Sequence, residues 1–151
     1  MVSVRSAADM LGAVLEALPS HDILVMTAAV ADYTPAERIE GKLKKAGGDL
    51  LLRLRRTVDI LERVAAHPAR GGMVVVGFSL DAEVNESEGR RKLAGKDLDG
   101  IVVNGVATFG SEVICARVLW RGGEATEVGG WGKARLAEFL LERAESLMKA
   151  R

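Results

Sequence analysis

Hydrophobic positions along this chain switch between helical spacing and unbroken runs of strand length. Ser6 followed by Asp9 reads as a capping-box helix start. Met10, Leu11, Val14, Leu15 and Leu18 then recur on one face until Pro19. "ILVMTAAVA" (residues 23–31) is a continuous apolar run, the pattern of a strand buried on both faces. "LLLRLRR" differs, because Leu50, Leu52 and Leu54 alternate with Arg53 and Arg55, which predicts a half-exposed edge strand. Thr57 opens a helix, "VDILERVAA", that ends near Pro68. "MVVVGF" predicts a second buried strand, residues 83–95 a charged helix and "GIVVN" a third strand. "EVICARVLW" and "ATEV" flank the turn signal "RGG" and so form a hairpin, followed by an amphipathic helix over 132–149. The alternation predicts an α/β fold: a doubly wound, mostly parallel, Rossmann-like sheet closed by a C-terminal antiparallel hairpin.

Composition adds bounds. With 151 residues, 48% of them apolar, the chain suits one domain with a sizeable core, residues 1–151. Lys plus Arg and Asp plus Glu both number 21, so global charge argues for no polyanionic partner. Residues 38–56, however, hold Arg38, Lys42, Lys44, Lys45, Arg53, Arg55 and Arg56 against Glu40 and Asp49. Such a local patch suits a small anionic ligand better than nucleic acid. The single cysteine, Cys115, excludes an internal disulfide and reads as a buried, inert thiol. No run reaches 18 apolar residues and no signal-peptide pattern opens the chain, so a cytoplasmic protein without membrane contact is expected.

Ligands of open parallel sheets bind beyond the carboxyl ends of the strands. Asp32, Phe78 and Asn104 fall at such ends, and the lysine cluster follows the first of them. Thr57–Leu61 reads as a helix N-terminus with open backbone N–H groups. Lys92 and Lys96, four apart, share a helix face. Together they describe a crevice with a carboxylate, an aromatic ring and several cations, suited to a nucleoside triphosphate. Each feature also has a plainer reading: Asp32 as a turn residue, the loop lysines as solvated surface, Phe78 as core, Asn104 before Gly105 as turn chemistry. No G-x-G-x-x-G or Walker A motif occurs.

The joint pattern "AAVADYTP", "KLKK", "VDIL", "VVVGF", "KLAGKDLDGIVVN" resembles the second half of bacterial phosphopantothenoylcysteine synthetase. Ten residues separate Asp32 from Lys42, fourteen Phe78 from Lys92, and four Lys92 from Lys96, in the order of that family. The resemblance implies a ligase that joins 4′-phosphopantothenate to cysteine at the expense of CTP. It implies a CTP site of Ala28, Ala29, Asp32, Lys42, Val58, Asp59, Ile60, Leu61, Phe78, Lys92 and Lys96, with Lys42 also catalytic. Asn104 would contact substrate, and Mg²⁺ would be held chiefly by phosphates with a carboxylate such as Asp81 or Asp32. A homodimer is implied as well.

Three departures qualify this. The family's Asn-x-Ser-Ser-Gly-Lys segment is absent, so the chain is expected to be a domain truncated at its N-terminus, with poor turnover alone. The usual Asn-Pro-Asp-Ile reads Thr57-Val58-Asp59-Ile60, and Asn-Asp after the third strand reads Asn104-Gly105, followed by a shortened "FGSEV". These last changes bear on residues 104–112 as a substrate or dimer loop. The competing readings are a truncated or divergent nucleotide-binding domain without turnover and, third, a nucleic-acid role for the basic patch.

Overall fold

The computed structural model describes residues 1–37, 39–42, 44, 47–106 and 110–151. Arg38 and Lys45 of the basic stretch, and Phe109 of the "FGSEV" segment, lie outside the described residues. Four helices, α1 (Ala7–Ala17), α2 (Ile60–Ala65), α3 (Glu86–Gly95) and α4 (Lys133–Lys149), surround a five-stranded sheet. Its strands are β1 (Ile23–Met26), β4 (Val74–Asp81), β5 (Gly100–Gly105), β6 (Val113–Trp120) and β7 (Ala125–Gly132), in that spatial order. β1, β4 and β5 run parallel, while β6 and β7 form the expected antiparallel hairpin. A separate ribbon pairs β2 (Tyr33–Pro35) with β3 (Leu54–Arg56).

Strand alternation creates two core layers. On one face Met73, Val75, Ile101 and Val103 meet Ile60, Leu61, Val64 and Leu93 of α2 and α3, with α1 packed against the same cluster. On the other, Val74, Val76, Val102 and Val118 meet Leu136, Leu140 and Ala144 of α4. This is the doubly wound sandwich that helix–strand alternation predicts. Gly89 marks its tightest approach: a Cβ there would lie 2.5 Å from Val103 Cγ2. The Ser6 capping box forms as expected, Asp9 N–H donating to Ser6 Oγ (3.1 Å) and Ser6 N–H to Asp9 Oδ2 (3.0 Å).

Four local expectations are corrected. The run 23–31 is strand only over Ile23–Met26 and is half-buried, because among the described residues β1 pairs with β4 alone. Residues 50–53 are not strand; Leu50, Leu52 and Leu54 are exposed because the ribbon packs on neither core layer. Helix α2 starts at Ile60 rather than at Thr57, since Asp59 caps it. Cys115 is exposed, at a register shift between Ile114 and Ala116 where β6 leaves the covered part of the sheet. No described helix is long and apolar enough to cross a membrane.

Candidate functional site

After Met26 the chain leaves the sheet, and Ala28, Ala29 and Ala31 carry too little side chain to anchor it by packing. Hydrogen bonds do so instead. Thr57 Oγ1 donates to the carbonyl of Ala31 (2.5 Å) and Thr57 N–H to that of Asp32 (2.8 Å), tying residues 28–32 to the segment that enters α2. The space between these segments and the carboxyl end of β4 is a cleft of about 700 Å³. Ala28, Ala29, Asp32, Val58, Asp59, Ile60, Leu61, Phe78, Lys92 and Lys96 all line it. Ten of the eleven residues expected at a nucleotide site are therefore neighbours, although sequence positions 28 and 96 lie at the extremes.

The eleventh, Lys42, is exposed and is not among the described residues that line the cleft. It belongs to an excursion whose two feet are the β2–β3 ribbon, closed by Ala36 N–H donating to the Arg53 carbonyl (2.9 Å). Arg56, at one foot, does line the cleft. Asn104 lies half-buried near the carboxyl end of β5, outside the lining residues. Asp81 ends β4 and also stands outside them.

Both lysines of the cleft are paired with carboxylates, Lys96 with Asp59 and Lys92 with Asp81. Asp59 Oδ1 accepts the N–H groups of Leu61 (2.9 Å) and Glu62 (3.2 Å), so α2's first donors are satisfied by the protein's own carboxylate. Within the expected backbone anion site, the Thr57 and Leu61 N–H groups are thereby taken by the protein's own oxygens. Asp59 Oδ2 lies 2.6 Å from Lys96 Nζ. Burial pushes the Asp59 carboxyl up, but the Lys96 hydrogen bond and charge and the two N–H donors outweigh it and hold the group below its usual range. At the opposite wall Lys92 Nζ donates to Ser79 Oγ (2.8 Å) and Asp81 Oδ1 (3.0 Å), while Ser79 Oγ–H donates to Asp81 Oδ2 (2.8 Å). The lining holds three cations (Arg56, Lys92, Lys96) and three carboxylates (Asp32, Asp59, Glu62).

Among the described residues no set of three or more His, Cys, Asp or Glu side chains converges as a metal site. Asp81 does not fit a magnesium ligand as it stands, because an ion bound there would sit beside the Lys92 ammonium and be repelled by it.

Polar lining residues that sequence reading did not assign to the cleft are Arg56, Glu62 and Ser79, while Thr57, expected as part of a helix N-terminus, serves as its brace. Thr57 replaces the family's asparagine, which was a visible signal. Ser79 had none, since it continues a strand pattern.

The pairing of Asp59 has a pH consequence. A carboxyl whose folded value is depressed adds stability above its ordinary value of 3.8, and that stability is lost as pH falls through the folded value. Asp59→Asn keeps a capping side chain but cannot ionise. The stability advantage of the wild type over this variant is expected to be full at neutral pH and to shrink as pH falls through 3.8 and below. Urea unfolding of both proteins across that range measures it; a constant difference would show that Asp59's charge does not contribute.

Residues 1–148 match the family described as the DNA/pantothenate metabolism flavoprotein C-terminal domain. The chain is 36% identical over 152 residues to the coenzyme A biosynthesis bifunctional protein CoaBC of Bacillus subtilis, covering 98% of this chain and 37% of that protein. It is 38% identical over 117 residues to CoaBC of Mycobacterium bovis, covering 70% and 28%. The chain thus spans well under half the length of these relatives. Among solved structures it superposes on the C-terminal domain of a CoaBC with a TM-score of 0.80 at 28% identity, covering 99% of this chain and 66% of that one. A Cab2 variant in complex with phosphopantothenate-cysteine shares the fold (TM-score 0.62, 15% identity, 85% and 46% covered).

Proposed function

Because the chain belongs to the DNA/pantothenate metabolism flavoprotein C-terminal domain family, we propose that it carries the nucleotide cleft of a CTP-dependent phosphopantothenate–cysteine ligase of coenzyme A biosynthesis. The observation that carries this reading is the convergence of ten expected nucleotide-site residues on one cleft at the carboxyl ends of β1 and β4. In the proposed reaction the carboxylate of 4′-phosphopantothenate attacks the α-phosphorus of CTP and pyrophosphate leaves. The amine of cysteine then attacks the acyl-cytidylate carbonyl, loses a proton, and CMP departs as the amide forms.

Positioning and charge neutralisation are what these residues can supply. Ala28 and Ala29 let a ligand approach the backbone, and the Phe78 ring offers a surface to ribose or base. Lys92 and Lys96 reach phosphate oxygens from two sides. Since the lining's own charges cancel, further positive charge for a triphosphate must come from Lys42 or from magnesium carried on the phosphates themselves. Asn104 is assigned to the pantothenate side of the site. The exposed Leu50, Leu51 and Leu52 support the homodimer implied by the family resemblance, and a cytoplasmic location goes with the same reading.

Calorimetric titration with CTP and ATP, followed by pyrophosphate release with 4′-phosphopantothenate and detection of the cysteine adduct, tests the proposal. Selective CTP binding with product formation supports it. CTP binding without pyrophosphate release leaves a nucleotide-binding domain without turnover, and failure to bind CTP sinks the reading. Within this assay Lys42→Ala is expected to weaken CTP binding by about 1.5–3 kcal/mol, the scale of a charge-assisted hydrogen bond. Lys44→Ala, at an exposed position, should lose roughly 0–1 kcal/mol. Equal losses would remove Lys42 from the site.

A further inference from the structure

Ser79 is an oddity of β4. The strand puts it on the same face as Met73 and Val75, which are core, and it is only 6% exposed. A buried hydroxyl without partners is unfavourable, and this one has two. It owns a single proton, which goes to Asp81 Oδ2 at 2.8 Å, so toward Lys92 Nζ at 2.8 Å it can only accept. The direction of the chain is therefore fixed: Lys92 ammonium to Ser79 hydroxyl to Asp81 carboxylate. Lys92 spends a second N–H on the Asp81 carboxylate, shared between Oδ1 at 3.0 Å and Oδ2 at 3.3 Å. Its next carboxylate, Glu88, is 3.7 Å away, beyond hydrogen-bond reach. One ammonium proton is left for an incoming acceptor.

We propose that Ser79 is a positioning residue for anion recognition: with Asp81 it anchors the Lys92 ammonium at two points, so that the third N–H meets a phosphate oxygen of the bound nucleotide. This rests on the nucleotide reading of the cleft and deepens it. A lysine side chain has four rotatable carbon–carbon bonds, and a single ion pair at a half-exposed site does not hold such a chain in one geometry. Two acceptors two residues apart on one face of a rigid strand do. Ser79 touches the ligand only through Lys92, and its loss is expected in affinity rather than in folding.

The test is a double-mutant cycle on the full chain, read by CTP calorimetry. Ser79→Ala is expected to weaken CTP binding roughly tenfold, as one charge-assisted hydrogen bond is worth, and Ser79→Thr to restore it. In the Lys92→Ala background the same Ser79→Ala change is expected to have less than about a twofold effect. A second readout needs no nucleotide: the Lys92 ¹⁵Nζ ammonium signal in NMR should be resolved in the wild type and in Ser79→Thr, and broadened by exchange in Ser79→Ala. Equal CTP losses in both backgrounds, or an ammonium signal unchanged by Ser79→Ala, would overturn the proposal. If the wild type takes up no CTP, the nucleotide reading fails, and the ammonium signal still decides whether Ser79 anchors Lys92.

Discussion

Asp99→Ala is expected to lower folding stability by about 3–5 kcal/mol, the cost of removing one partner from a buried ion pair. Asp99 is 4% exposed and Arg70 is 6% exposed, and they meet at 2.9 Å. The Asp99 carboxylate also accepts Val75 N–H (2.8 Å) and Arg151 Nη2 (2.5 Å). Arg70 turns its other donors to the carbonyls of Met73 and Asp97. Deleting the carboxylate leaves the buried guanidinium only the half-exposed Asp97 carboxylate (3.2 Å) as counter-charge and leaves the Val75 N–H without an acceptor, and each loss carries a desolvation penalty. The network lies at the amino ends of β4 and β5, away from the cleft at their carboxyl ends. Urea unfolding at neutral pH measures the loss, and CTP affinity of the folded variant should be unchanged. A loss under about 1 kcal/mol would mean that water reaches Arg70 and takes over the role of Asp99.

That network also shows where sequence reading stops. Arg70 and Asp99 are 29 residues apart, each in a stretch that looks like an ordinary charged turn, and no period links them. Strands β4 and β5 were legible because unbroken valine and isoleucine runs admit only a doubly covered position. The β6–β7 hairpin was legible from "RGG", and α1 from its capping box. β1 was read too long because alanines at 28, 29 and 31 are apolar enough to continue a run yet too small to hold a strand, so the Thr57 hydrogen bonds decide. The leucine–arginine alternation at 50–55 has the period of a half-buried strand, but period says nothing about whether a second layer exists beneath it. In the site, lysines 92 and 96 and the carboxylates of Asp59 and Asp81 were each found, whereas their pairing was not. Asp59, expected at the nucleotide site, lines the cleft and also caps α2 and holds Lys96. Side-chain pairing across elements is a product of the assembled fold, and spacing along one element does not encode it.

Phe78 brings the two levels together, because it belongs to both the core and the cleft. Its ring packs against the cluster of Val74, Val76 and Val102, and the same side chain lines the cleft. It is half-buried, so truncation removes part of a core contact and part of a ligand surface. Phe78→Ala is expected to reduce CTP affinity by about 1–3 kcal/mol, the scale of a base stacked on an aromatic ring. The stability loss should fall below the ~3–5 kcal/mol of emptying a fully buried phenylalanine, since water already reaches one side of the ring. Phe78→Leu separates the two contributions: it refills most of the volume facing the valines but has no flat face for a base. It should therefore recover most of the stability and little of the affinity. Calorimetry and urea unfolding on both variants read this directly. Recovery of affinity in step with stability would return Phe78 to the core and take the nucleotide's aromatic contact away from this position.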